Sequence, residues 1–263
     1  MAQVKDVLSC LEKIAPPEMK MDFDNVGLLA GWPEKEIKKA EIALDVSDDV
    51  IEEAIDNGAQ LIVSHHPLIF SPIKAVRADD YTGSRIIKLI ENGISAICMH
   101  TNLDAAEDGV NDALAKKVGI EKPEMLCVDG YLDGEPYCIG RIGNIFHSMS
   151  MPEYLPYIRM ALNSSGLRFH DAGRLVDRVA VIGGSEGSEL KKVIDAGADT
   201  FITADIKYDV FLEARHYGIN LIDADHFCTE NTVVPVLYEK LAAALPDIEF
   251  FISKTHGQTA DFC

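Results

Sequence analysis

Short runs of β-branched and aliphatic residues alternate with amphipathic stretches along almost the whole chain, and this alternation narrows the fold more than any other feature. In the first half, strand-like runs at residues 41–46, Leu61–Ser64 and residues 94–99 are separated by helix-like stretches at Asp48–Asn57, 83–92 and 110–118. The second half reads the same way, with strand candidates at 179–182, Thr200–Thr203, 220–222 and Glu249–Ile252 between helix candidates at 188–196, 207–216 and 233–244. Parallel strands need a crossover of about a dozen residues, usually a helix, so this order implies an α/β fold with mainly parallel sheets and helical crossovers. Ahead of them, Val4, Leu8, Leu11 and Ile14 recur at helical spacing with charges between, which reads as a helix rather than a signal or transit peptide.

The length of 263 residues suggests about two domains at roughly 150 residues each. Residues 121–178 are richer in Gly, Pro and Ser and less periodic, which sets the junction near their start. The expected organisation is a first α/β domain over 1–125, a second over 126–244, and a C-terminal segment 245–263 packed on the first. The two halves resemble each other. IEEAIDNGAQLIVSHH (51–66) aligns without gaps on LKKVIDAGADTFITAD (190–205), and NGISAICMHTNLD (92–104) resembles YGINLIDADHFCTE (217–230) with one residue of offset. Helix-turn-strand units share glycines and apolar runs by default, but the downstream match, which pairs His100 and Asp104 with His226 and Glu230, favours duplication.

Forty-three Asp and Glu against 24 Lys and Arg leave a formal charge of −19, which argues against nucleic acid or an acidic membrane as partner. No apolar stretch approaches the roughly 18 residues that cross a bilayer. The six cysteines (Cys10, Cys98, Cys127, Cys138, Cys228 and Cys263) form no CxxC pair, so neither a zinc ribbon nor a disulfide framework is expected, and a reducing, cytoplasmic setting is the simplest inference. Most of these thiols read as small buried hydrophobes; Cys228 stands out for its neighbours.

Three segments with histidine, two of them also with carboxylates, stand at or just beyond the ends of strand candidates, where parallel sheets place functional groups. In VSHHPLIF (63–70), adjacent strand residues face opposite ways, so His65 and His66 cannot share one pocket while the chain stays extended. Two imidazoles aimed in different directions suit two metal ions better than one, although a lone His-His pair more often packs one ring in the sheet and caps a loop with the other. HTNLD (100–104) returns a carboxylate four residues after a histidine; Asn102 or Asp104 could equally open the following helix as its cap. In DADHFCTEN (223–231), His226 and Glu230 are one helical turn apart, and Glu230 extends the apolar stripe of Val234, Leu237 and Leu241. A carboxylate there is costly to bury without a cation or hydrogen bonds. Pro235 requires the helix to begin close by or kink. Together the three segments offer nitrogen and oxygen ligands suited to zinc, iron, manganese or nickel rather than calcium.

DNVGLLAG (24–31), SHHP, HTNLDAA (100–106), TADIKYD (203–209) and DADHFCTE occur in an order that strongly resembles the NGG-one-interacting factor three family, whose bacterial members are labelled GTP cyclohydrolase 1 type 2 homologues. The resemblance covers essentially the whole chain in the short form without an inserted domain. It implies two interlinked α/β domains, two divalent metal ions, and a ring-shaped homohexamer with its metal sites facing an internal cavity. Matched motif to motif, the metal ligands are His65, His66, Asp104, His226 and Glu230, with Glu230 bridging and His100 beside the metals or adding a ligand. Ala204, Asp209 and Asp225 stand where the family commonly has glycine, histidine and glycine, which puts pocket shape and substrate in question but not the ligands.

The family label implies a metal-dependent hydrolase of a small molecule or nucleotide, with His100 and Glu230 as candidates for proton transfer and Asp205 and Lys207 for substrate contact. No Walker loop or GxGxxG holds a phosphate. Gly183-Gly184-Ser185 offers backbone N–H groups before a helix, although such turns more often use glycine for geometry alone. The competing expectation is a non-enzymatic metal-binding scaffold or metal-insertion protein.

Overall fold

The computed structural model describes residues 2–261, so Cys263 lies outside the described residues. From the N-terminus, α1 (Val4–Ile14) leads to β1 (Gly27–Ala30), β2 (Lys39–Ala43), α2 (Asp48–Asn57), β3 (Leu61–Ser64), α3 (Tyr81–Glu91), β4 (Ser95–Cys98) and the short α4 (Thr101–Ala105). Next come α5 (Val110–Lys117), β5 (Glu124–Met125), β6 (Gly130–Leu132), β7 (Glu135–Tyr137), β8 (Arg141–Met149), α6 (Met151–Ala161), β9 (Arg168–His170) and β10 (Val176–Val181). The chain closes with α7 (Leu190–Asp195), β11 (Thr200–Thr203), α8 (Tyr208–Tyr217), β12 (Asn220–Asp223), α9 (His226–Glu230), α10 (Val234–Ala244) and β13 (Glu249–Ile252). No helix among the described residues is long and apolar enough to cross a membrane.

Two compact units result among the described residues: one holds residues 2–103 together with Val234–Gly257, and the other holds Asp104–Val233 and residues 258–261. The first unit is built on a sheet in the order β1-β4-β3-β2-β13, parallel throughout except for the antiparallel edge strand β1. Every residue of β3 and β4 is buried, which is why both read as continuous apolar runs rather than alternating ones. Local signals start and stop the helix between β2 and β3. The Ser47 side chain accepts from Val50 N–H, and Gly58 ends α2 in the left-handed conformation that costs a glycine little. Val50, Ile51 and Ala54 then pack on Ala43 and Ile62, each large side chain contributing roughly 1.5–3 kcal/mol by leaving water. Ser64 and Cys98 are register partners, so the residues that follow β3 and β4 emerge side by side.

In the second unit the order is β5-β8-β10-β11-β12-β9. Only β10, β11 and β12 run parallel; β8, β5 and β9 join antiparallel. With the antiparallel β6–β7 hairpin, parallel and antiparallel pairings are equally represented among the described strands, so the sheets are mixed rather than mainly parallel. The antiparallel additions in this unit all come from residues 121–178, the stretch whose periodicity is weakest. The nine-residue β8 is buried only in its first half, which blurs its alternation, while Tyr154 of α6 fills the core and donates to Val118 O at 2.8 Å.

The helix after Glu230 also resolves. A single 3-10 turn (Asn231–Val233) separates α9 from α10, and Pro235 sits in the first turn of α10, where its missing N–H costs nothing.

Candidate metal centre

In the first unit β3 ends at Ser64, and its hydroxyl donates to His66 O at 2.8 Å across a tight turn. The histidine pair therefore lies beyond the extended chain, and the opposite-faces rule for strands does not apply to it. Its two ring centroids are 5.1 Å apart, and His100, delivered by the end of β4, stands 5.2 Å from His65 and 5.8 Å from His66. Ligand-capable ring nitrogens of the three lie within 4.8 Å of one another.

Each ring is held by an oxygen at Nδ1. His65 meets the Met99 carbonyl at 2.9 Å, His66 the Asp45 carboxylate at 2.7 Å, and His100 the Asp24 carboxylate at 2.8 Å. A carbonyl or a carboxylate only accepts, so Nδ1 carries the proton and Nε2 presents its lone pair, the tautomer of a metal-ligating histidine. Asp24 is fixed in turn. Burial alone would raise its carboxyl, but hydrogen bonds from His100 and from the Thr101 hydroxyl and amide outweigh that and hold it well below the usual carboxylate range. Neither Asp24 nor Asp45 stands out as a site residue in the sequence: Asp24 opens the DNVGLLAG run, and Asp45 carries no local signal.

The second unit gathers Asp104, Asp205, His226 and Glu230. Asp104 lies inside α4 and does not cap α5, whose N-cap is Gly109. His226 and Glu230 share one face of α9, with Nε2 and Oε2 3.0 Å apart, while His226 Nδ1 meets Asp205 Oδ2 at 2.7 Å. A ring with a carboxylate at both nitrogens is satisfied by a second proton or by a cation on Nε2. An oxygen of Asp104 lies within 4.8 Å of one of Glu230, and the two residues are only 8% and 4% exposed. Two carboxylates so close and so dry need positive charge between them or a shared proton. The excess of negative charge reaches Glu186, whose carboxyl is pushed up to about 7 by burial, reinforced by Glu189 and Glu230. Lys207 precedes α8 on the exposed surface.

The amides of Gly183 and Gly184 bond within the protein, and Gly184 makes room for Glu230. Gly183 N–H donates to Asn111 Oδ1 at 2.8 Å and Gly184 N–H to Thr229 Oγ1 at 3.1 Å, so both amides are used within the unit. At Gly184, with φ of +72°, a Cβ would fall 2.2 Å from Glu230 Oε1. Asp225 also occupies positive φ, at 76°, but its carboxylate caps α9 by accepting from Cys228 N–H at 3.1 Å. Ala204 is fully buried, and Asp209 falls in the first turn of α8. Cys228 packs into the core; burial, helped by Asp225, pushes its thiol up to about 12, which keeps it protonated and inert.

These residues fit divalent cations: imidazole Nε2 atoms held in the ligating tautomer in one unit, and a histidine with two close, buried carboxylates in the other. The family model for Duf34/NIF3 (NGG1p interacting factor 3) matches residues 2–258. A Clostridium perfringens protein called a GTP cyclohydrolase 1 type 2 homolog is 35% identical over 262 residues, 99% of each chain, and a Clostridium acetobutylicum protein of the same name is 35% identical over 92% of this chain and 91% of its own. Among solved structures, a Bacillus cereus protein related to NIF3 superposes with a TM-score of 0.94 at 24% identity, over 100% of this chain and 99% of that one. With these extents and identities, the chain belongs to the Duf34/NIF3 family.

Proposed function

We propose that the chain binds two divalent metal ions through His65, His66, Asp104, His226 and Glu230, with Glu230 bridging and His100 alongside, and acts as a metal-dependent hydrolase of a small molecule or nucleotide. One observation carries the metal reading. His65, His66, His100 and His226, four of the eight histidines, each have Nδ1 against an oxygen acceptor, which makes Nε2 the ligating nitrogen of each ring. The pairing of His100 and Asp104 with His226 and Glu230 in sequence supports a duplicated ligand set. Zinc, iron, manganese and nickel all suit this mix of nitrogen and oxygen.

Divalent ions held there would supply Lewis acidity and lower the pKa of a coordinated water. Around them the protein's own groups hold position: Asp45 and Asp24 fix the rings of His66 and His100, Asp205 fixes His226, and Gly184 leaves room for Glu230. His100 is the candidate for moving a proton, and Lys207, exposed just before α8, is the candidate for contact with an anionic substrate. GTP enters as a test compound because relatives bear that name. Two of the three amides in the Gly183-Gly184-Ser185 turn are engaged within the protein, and that favours, as second reading, a metal-binding scaffold without turnover. The family resemblance carries with it a ring-shaped homohexamer, whose mass light scattering of the purified protein measures.

Metal-free, metal-loaded and Glu230→Gln protein assayed with GTP and a panel of phosphoesters separates the readings. Metal-dependent product that disappears in the variant supports the hydrolase, while bound metal without turnover of any compound leaves the scaffold.

A further inference from the structure

Cys127 and Cys138, eleven residues apart, flank the β6–β7 hairpin and meet at its base. Asp129 N–H donates to Tyr137 O at 2.9 Å, and Ile139 N–H donates to Asp129 Oδ2 at 3.0 Å, which locks the two ends of the hairpin side by side. The sulfurs are 3.4 Å apart, and Cys127 Sγ is 3.3 Å from Asp129 Oδ1. One ligand atom from each of the three residues lies within 4.8 Å of the others. None of the three belongs to the histidine and carboxylate set, and all are in the second unit.

We infer that Cys127, Asp129 and Cys138 form a separate site for a thiophilic divalent cation of zinc's class. Two zinc–sulfur bonds of about 2.3 Å in tetrahedral arrangement set their sulfurs about 3.8 Å apart, near the spacing here, whereas a disulfide draws them to about 2.05 Å. Two sulfurs and a carboxylate are three protein ligands, the set that leaves a fourth position for water. Deprotonated, the three groups carry three negative charges; the cation offsets two, and Lys192 Nζ, 3.7 Å from Asp129 Oδ1, faces the remainder. Cys138 is buried, while Cys127 and Asp129 reach the surface, so the ion enters from solvent without opening the core. An ion there would pin the hairpin to the sheet edge at β5, which is only two residues long.

Cobalt(II) titration of reduced, metal-freed protein tests the site, because thiolate ligands give a near-ultraviolet charge-transfer band that nitrogen and oxygen ligands cannot. The band is expected in the wild type and in His65→Ala/His66→Ala protein, is displaced by zinc, and is lost in Cys127→Ser/Cys138→Ser protein. Asp129→Asn keeps both thiols and should bind cobalt at least about tenfold more weakly, since even outer-sphere carboxylates cost that much. Absence of the band at saturating cobalt, its survival in the double serine variant, or a Cys127–Cys138 disulfide that resists millimolar glutathione would overturn the inference.

Discussion

Asp45 shows how little of this centre resides in the ligands themselves. It touches no proposed metal position, yet its carboxylate fixes the tautomer and direction of His66. Asp45→Asn keeps the shape but turns an acceptor-only group into one that can present N–H, so metal affinity should fall about 10- to 100-fold while the folded circular dichroism spectrum is kept; isothermal titration with manganese measures this. Gly184 is constrained from the other side. Alanine there would put a Cβ 2.2 Å from Glu230 Oε1 at a positive φ, so Gly184→Ala should displace the carboxylate, lose metal, and destabilise the fold by about 1–3 kcal/mol in urea. A variant that binds manganese like the wild type would show that Glu230 tolerates the displacement.

At the scale of elements, the parallel cores were legible because fully buried strands and capped helices write strong local patterns. α2 begins and ends where Ser47 and Gly58 dictate, and β3 and β11 match their sequence ranges to the residue. Residues 121–178 were not legible, since β8 is half exposed and β9 has only three residues, too few to show a period. One signal there went unused: Asp133 and Gly134, both at positive φ, make the two-residue turn of the β6–β7 hairpin. For the same reason the contact of Cys127 with Cys138 was invisible as a motif, because a hairpin rather than a short spacing brings them together. In the first unit, four donors from Ser253, Lys254 and Thr255 converge on Glu53 Oε2 and tie the chain after β13 to α2. Beneath them Glu41 of β2 is fully buried, and burial, opposed by Ser253 and aided by the Glu53 charge, pushes its carboxyl up to about 8. Its folded pKa thus exceeds the ordinary value of 4.5, so the folded chain holds a proton that the unfolded chain releases. Stability from this group is complete below about 4.5 and drains away as pH rises to about 8. Glu41→Gln should flatten that decline and so gain stability at pH 8, read from urea midpoints across the range. An unchanged pH profile would remove Glu41 as its source.

For the whole molecule, the charge of −19 takes on a narrower meaning. Asp104 and Glu230 belong to that total and are, in the proposed centre, the part a cation would neutralise, so metal should act as a stabiliser as well as a reagent. Manganese at about 100 times its dissociation constant would add about 2.7 kcal/mol and raise the unfolding midpoint by roughly 5 °C or more, with most of the gain absent in His66→Ala. Manganese is the right probe because it disfavours thiolates and so reports little from Cys127 and Cys138. Anomalous diffraction at the manganese edge, on crystals of metal-loaded protein, tests the central claim most directly. The account predicts two peaks, each in contact with histidine Nε2 and with both near Glu230; peaks only elsewhere, or none among His65, His66, Asp104, His226 and Glu230, would contradict it.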